Sequence, residues 1–139
     1  MIQPVDPFPG SPPALGPYSL AVRASGDFLF VSGMTPYNPA TGGIERGSIA
    51  EQTRLVLANM RNVLAAGGAS PADVVSCRVY LSKLTPETFG EMNAEYALFF
   101  GDAKPARATV GTDLLGFDVE IECVAVLSAP RNSLWPVTQ

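Results

Sequence analysis

The stretch Asp118-Val119-Glu120-Ile121-Glu122-Cys123-Val124-Ala125-Val126-Leu127-Ser128 decides the fold. Side chains alternate across a strand, so Val119, Ile121, Cys123, Ala125 and Leu127 share one face. Glu120, Glu122, Val124 and Val126 share the other. The first face is apolar throughout and is expected to lie against helices. The second mixes two carboxylates with large apolar groups, a poor solvated surface, and is expected to be covered by neighbouring subunits.

Working back from this strand, residues 108–110 read as a short strand. A helix is predicted to begin at Thr85-Pro86, a cap residue followed by proline at the first helical position. Phe89, Met92, Tyr96 and Phe99 give that helix one apolar stripe, read as packing core and not as an aromatic cage, and Gly101 stops it. Residues 74–82 are rich in β-branched and aromatic side chains and predict a strand, preceded by a capped turn at Ser70-Pro71-Ala72-Asp73. A longer helix is predicted over residues 49–66. It opens on Ser48-Ile49-Ala50-Glu51, which has the form of a reciprocal capping box, and ends at Gly67-Gly68. Ile49, Val56, Met60, Val63 and Leu64 keep helical spacing along it.

Upstream, residues 34–47 read as a loop. Residues 18–24 and 28–33 read as a hairpin across Ser25-Gly26-Asp27. Residues 1–17 hold Pro4, Pro7, Pro9, Pro12, Pro13 and Pro17 and read as an extended arm. The order β-β-α-β-α-β-β, with both helices on one face, is an α+β sandwich. It is read as one domain over residues 1–139, with a proline-rich arm at 1–15 and a tail at 130–139.

Composition narrows the chemistry. Hydrophobic residues make up 47% of the 139 and charged residues only 16%, which favours a surface partly hidden against copies of the same chain. The net charge is −4 and no run of Lys or Arg exists, so no nucleic-acid partner is expected. No apolar stretch is long enough to span a membrane and no secretory signal is read, so no membrane partner is expected either. Cys77 and Cys123 each sit in an apolar strand, as reduced buried thiols of a cytoplasmic protein would. Gly42-Gly43 lacks the lysine and helix start of a phosphate loop. There is no histidine. That excludes Ser-His and Cys-His pairs and most zinc sites, leaving carboxylates, hydroxyls, Arg or Lys and backbone groups to do any chemistry.

Six segments, in order along the chain, then carry a resemblance. They are Gly16-Pro17-Tyr18-Ser19, Phe30-Val31-Ser32-Gly33, Glu51-Gln52-Thr53-Arg54, Asn93-Ala94-Glu95-Tyr96, Lys104-Pro105-Ala106-Arg107-Ala108-Thr109-Val110 and Val119-Glu120-Ile121-Glu122. Together they resemble the reactive intermediate deaminase A (RidA, YjgF-type) family from about Gly16 to Val126. The resemblance implies a chorismate-mutase-like α+β fold, a mixed sheet with two helices on one face. It also implies a homotrimer with the sheets inside and a site in each cleft between subunits. The implied reaction hydrolyses 2-imino acids, or their enamines, to 2-keto acids and ammonia, without metal or organic cofactor.

The resemblance places the carboxylate-binding arginine at Arg107, suited to the task because a guanidinium fork grips a carboxylate bidentately. It places the water-handling glutamate at Glu120 and not at Glu122, which is left as a structural partner for an arginine across the trimer. Tyr18 and Ser32 match positions lining the site. Asn93 matches a position near the cleft, with a capping or structural amide as the competing reading. Thr109, two residues beyond Arg107, faces the same cleft. Two departures bear on specificity: Ala108 stands where serine is common, and residues 111–117 replace the usual segment before the Glu120 strand. A deaminase or hydrolase for a specialised substrate, and a non-catalytic trimer that binds keto acids or another protein, therefore stay open. The ribonuclease activity attributed to relatives is disfavoured by the acidic balance and the lack of histidine.

Overall fold

The computed structural model describes residues 1–127; Ser128 and the tail, with Trp135, lie outside the described residues. The elements are β1 (Ile2–Pro4), β2 (Val22–Ala24), β3 (Asp27–Met34), β4 (Tyr37–Asn38), β5 (Gly43–Ile44), α1 (Ile49–Ala66), β6 (Val74–Leu81), α2 (Pro86–Phe100), β7 (Ala106–Gly111) and β8 (Val119–Leu127). Both helices and the β6 and β8 strands lie where the sequence predicts them. Ser48 Oγ accepts from the Glu51 amide, but the reciprocal half of that capping box is not formed. Thr85 and Thr88 instead close a full box at the start of α2, with Pro86 at its first position.

The main sheet runs β3-β8-β6-β7, antiparallel at the first two joins and parallel between β6 and β7. A parallel join requires a crossover, and α2 supplies it. The mixed sheet follows from this one connection. Both helices cover one face: Val56, Leu57, Met60 and Leu64 of α1 and Met92, Tyr96 and Phe100 of α2 share a core with Val31, Val79 and Ile121. Cys77 and Cys123 oppose one another in the β6–β8 register, both buried and both free thiols.

Two expectations are corrected. β2 and β3 do not form a hairpin. β2 pairs with β1, while β3 pairs along its length with β8, Asp27 opposite Leu127. Six residues of β3 gain a ladder on β8, and the three-residue β2 pairs with β1 at the start of the chain. The arm is thus a strand at its tip, with the Met1 ammonium donating to the Ser25 carbonyl at 3.0 Å. Residues 34–47 are not all loop, since β4 and β5 form a small hairpin tied by the Asn38 amide donating to Glu45 at 2.8 Å. Leu127 packs against the core on the inner face as expected, and Val126 stays on the outer face opposite Phe28, fully buried beneath the turn at Gly26.

The outer face is otherwise open. Phe28 and Phe30 are 60% and 76% exposed and stack with centroids 6.0 Å apart. Beside them stand Val124, Glu122, Arg78 and Tyr80.

Candidate active site

Strand register decides where Arg107 points. Arg107 pairs with Cys77 and Thr109 with Val79, and both partners face the core, so Arg107 and Thr109 face the helices. At this edge of the sheet the covering helix is α2. The guanidinium carbon lies 4.8 Å from the centroid of the Tyr96 ring, 5.3 Å from Tyr18 and 5.6 Å from Phe89. Nη1 faces the Met92 sulfur at 3.9 Å. The reading of the α2 stripe as core alone is therefore corrected. Met92 and Tyr96 are core and cage at once, because β7 is an edge strand and its inward arginine reaches the helix that covers it.

Around this cation the polar groups lack partners. Arg107 Nε and Nη2, Asn93 Oδ1, Thr109 Oγ1 and the Tyr96 hydroxyl are buried with no hydrogen bond among the described residues. Burial lowers the Arg107 pKa from its ordinary value. Burial likewise pushes the Cys77 thiol up to about 12 and raises the Tyr96 phenol, so both neighbours are neutral at pH 7. Arg107 makes no ion pair with the described residues. A half-buried cation whose Nε and Nη2 are buried without partners is chemically suited to an anion.

The chain approaches this site closely at Gly16. A β-carbon there would lie 2.8 Å from Arg107 Nη2 and 3.2–3.3 Å from the Asn93 amide atoms, so only glycine leaves these side chains in place. Tyr18 lays its ring on the guanidinium while its hydroxyl accepts from the Leu15 amide at 2.9 Å. The Ser19 amide donates to the Pro105 carbonyl at 3.1 Å, tying this loop to the start of β7.

Glu120 stands elsewhere. It pairs with Tyr80 on the outer face, three residues along β8 from the level of Arg107, or about 10 Å at a strand's rise. The two are on opposite sides of the sheet. A register shift between Val31 and Met34 brings Gly33 against Glu120, where a β-carbon would meet the carboxylate at 2.7 Å. Ser32, in the same bulge, is exposed. Glu120 makes no hydrogen bond or ion pair with the described residues. Glu122 differs: it accepts from the Tyr80 hydroxyl at 2.7 Å and pairs with Arg78 of its own chain at 3.5 Å.

Thus Tyr18, Asn93 and Thr109 gather with Arg107, and Ser32 lies in the bulge whose Gly33 sits against Glu120. Phe89, Met92, Tyr96 and Gly16 join the first group; the i, i+3, i+7 spacing of the α2 stripe is the signal for the first three, and Gly16 has none of its own. Asp118, at the end of the 111–117 loop, fixes the entry to the Glu120 strand. Its carboxylate accepts from Gln52 at 2.9 Å and Ser82 at 2.6 Å, and its amide donates to Gln52 at 2.8 Å. Leu115, at the tip of that loop, is 95% exposed. Among the described residues no cluster of three carboxylates or thiols forms a metal site, and no helix is long and apolar enough to cross a membrane.

Comparison with known proteins places this arrangement. A family profile described as Endoribonuclease L-PSP matches residues 9–127. A RutC family protein of Pyrococcus horikoshii is 45% identical over 116 residues, covering 84% of this chain and 90% of the relative. The chloroplastic Reactive Intermediate Deaminase A of Arabidopsis thaliana is 40% identical over 119 residues, covering 84% of this chain and 62% of that protein. A crystal structure of a Rid-family protein from Yersinia pestis superposes with a TM-score of 0.80 at 32% identity, covering 91% of this chain and 98% of that one. By its matched length, its identities and its α+β architecture, the chain belongs to the RidA/YjgF family.

Proposed function

We propose that the chain is a deaminase that hydrolyses 2-imino acids, and the enamines in equilibrium with them, to 2-keto acids and ammonia. The observation that carries this reading is the caged guanidinium of Arg107, with two free buried donors and no counter-ion. Its Nε and Nη2 edge matches both oxygens of a carboxylate. The rings of Tyr18, Phe89 and Tyr96 flank the guanidinium and lower the local dielectric, which strengthens the grip.

The reaction balances with water alone. Water adds to the C=N carbon and loses a proton; the nitrogen gains protons; ammonia then leaves as the C=O bond forms. Glu120 is the group proposed to take the water proton and return it to nitrogen, a role for a carboxylate within hydrogen-bond reach. Because Glu120 and Arg107 of one chain face opposite ways, the working site joins Arg107, Tyr18, Asn93 and Thr109 of one copy to Glu120 and Ser32 of a neighbour. That requires the outer faces to meet, as in a homotrimer of chorismate-mutase type, and the exposed Phe28 and Phe30 favour such burial. Buried free thiols fit a reducing, cytoplasmic setting.

A binding-only reading has one observation in its favour: Arg107, Asn93 and Thr109 bring their unpartnered groups together within one chain, whereas Glu120 is not among them. The exposed Leu115 loop likewise favours a specialised substrate. The endoribonuclease description of the family profile finds no support in a chain of net charge −4 without histidine. To test the proposal, an amino-acid-degrading enzyme generates 2-iminobutyrate in situ and its disappearance is followed. The chain is expected to accelerate loss of the imine. Keto-acid affinity without acceleration would leave only the binding reading.

A further inference from the structure

The five partnerless buried atoms around Arg107 differ in what they demand. Arg107 Nε and Nη2 only donate, and a carboxylate, which only accepts, satisfies both side-on. The hydroxyls of Thr109 and Tyr96 rotate and serve as donor or acceptor, so they impose no fixed polarity. Asn93 Oδ1 only accepts. Once a carboxylate is seated, this oxygen is the one fixed demand left, and it calls for an N–H or O–H group. The two demands adjoin: a single point off the Gly16 α-carbon lies 2.8 Å from Arg107 Nη2 and 3.3 Å from Asn93 Oδ1.

From this we infer that Asn93 is a specificity-determining residue that selects ligands bearing a hydrogen-bond donor on the carbon next to the carboxylate. The inference rests on Arg107 as carboxylate anchor. A 2-imino acid presents N–H at that position. The 2-keto acid product presents a carbonyl oxygen, an acceptor facing an acceptor, which leaves Asn93 Oδ1 unpaired. Sites built to pair with a ligand N–H discriminate strongly against analogues that lack it. The pocket would then tell substrate from product by one atom, holding the imine and releasing the ketone.

Oxamate and pyruvate test this, since oxamate can turn its amide N–H toward Asn93 with its carbonyl in the place of pyruvate's methyl, a donor that pyruvate lacks on that carbon, at nearly equal shape and charge. Calorimetric titration of the intact protein is expected to show oxamate bound about tenfold more tightly or better. Asn93→Leu, close in shape and without the acceptor, should bring the ratio near one by weakening oxamate, with the melting temperature unchanged or raised. A purely structural Asn93 would not move that ratio. Equal affinities in the unaltered protein would overturn the inference, as would a variant that weakens both ligands alike. Tighter pyruvate binding would also overturn it, placing the amide nitrogen toward the ligand. Failure of both ligands to bind removes the carboxylate anchor and the selectivity together; equal binding removes the selectivity alone.

Discussion

Arg107→Met should abolish function while leaving the fold almost untouched. The guanidinium has three aromatic neighbours and no anion. Each desolvated cation–π contact contributes on the order of 1 kcal/mol, so truncation forfeits about 3 kcal/mol. Against this, Nε and Nη2 are buried without partners, and such a group costs about 1–3 kcal/mol. Removing both recovers a similar sum, and methionine's flexible thioether refills much of the space. The two sides cancel to within about 1 kcal/mol. For a domain of this size that corresponds to a shift of only about 4 °C in melting temperature. Breaking a buried ion pair would instead cost about 3–5 kcal/mol. Imine hydrolysis, by contrast, should fall at least about a hundredfold, from loss of an interaction of about 3 kcal/mol. Calorimetric melting with and without pyruvate checks both halves. Pyruvate at about a hundred times its Kd should stabilise the unaltered protein by about 2.7 kcal/mol and the variant not at all. A fall of about 10 °C or more would show that Arg107 holds the fold, and retained stabilisation by pyruvate would show that the anion binds elsewhere.

Three further outcomes are expected. Glu120→Gln should lower kcat about a hundredfold or more while pyruvate affinity stays within twofold; a matching loss of affinity would make Glu120 a binding group. Cys77 and Cys123 are both pushed up to about 12 by burial from an ordinary value of 9.0. Below pH 9 the thiols are neutral in both states and their contribution to stability is intact. Between pH 9 and about 12 only the unfolded thiols ionise, so stability should fall by about 1.4 kcal/mol per pH unit for each thiol. Urea unfolding from pH 8 to 10.5 checks this, and Cys77→Ala with Cys123→Ala should flatten the slope. Asp118→Ala removes the carboxylate's hydrogen bonds from the fully buried Gln52 and from the Ser82 hydroxyl, while Gln52 keeps the Gly47 carbonyl and the residue 118 amide; denaturant unfolding should register a loss of about 2–4 kcal/mol.

Much of the fold is legible in the sequence because its signals are local. Ser48 and Gly67 bracket α1, Thr85-Pro86 starts α2, and alternation along β8 sorts its faces correctly as far as Leu127. What escaped is pairing at a distance. Nothing in the three residues of β1 indicates Val22–Ala24 as partner, and a Gly-containing turn before Asp27 reads as a hairpin whichever strand β3 joins. At the site, Arg107 and Glu120 are legible as residues through the family resemblance. Their opposite facing is not, since it depends on the registers of β7 on β6 and of β8 on β6. The cage was hidden for a different reason: Met92 and Tyr96 at helical spacing read the same whether they pack on leucines or on a guanidinium. Gly16 had no local signal, because its requirement for glycine comes from Asn93 and Arg107.

The order β3-β8-β6-β7 also divides the two groups by mobility. Glu120 rides on a central strand, hydrogen-bonded on both sides, whose amides open only with the whole domain and should be last to exchange with deuterium. Arg107 rides on the edge strand, paired on one side only, where local opening is far cheaper. An excursion that frees β7 would carry off the anion grip and leave the Glu120 strand where it was. On the proposed mechanism, ligand capture and release would run on the fluctuations of an edge, while the glutamate would keep its place on a strand paired on both sides.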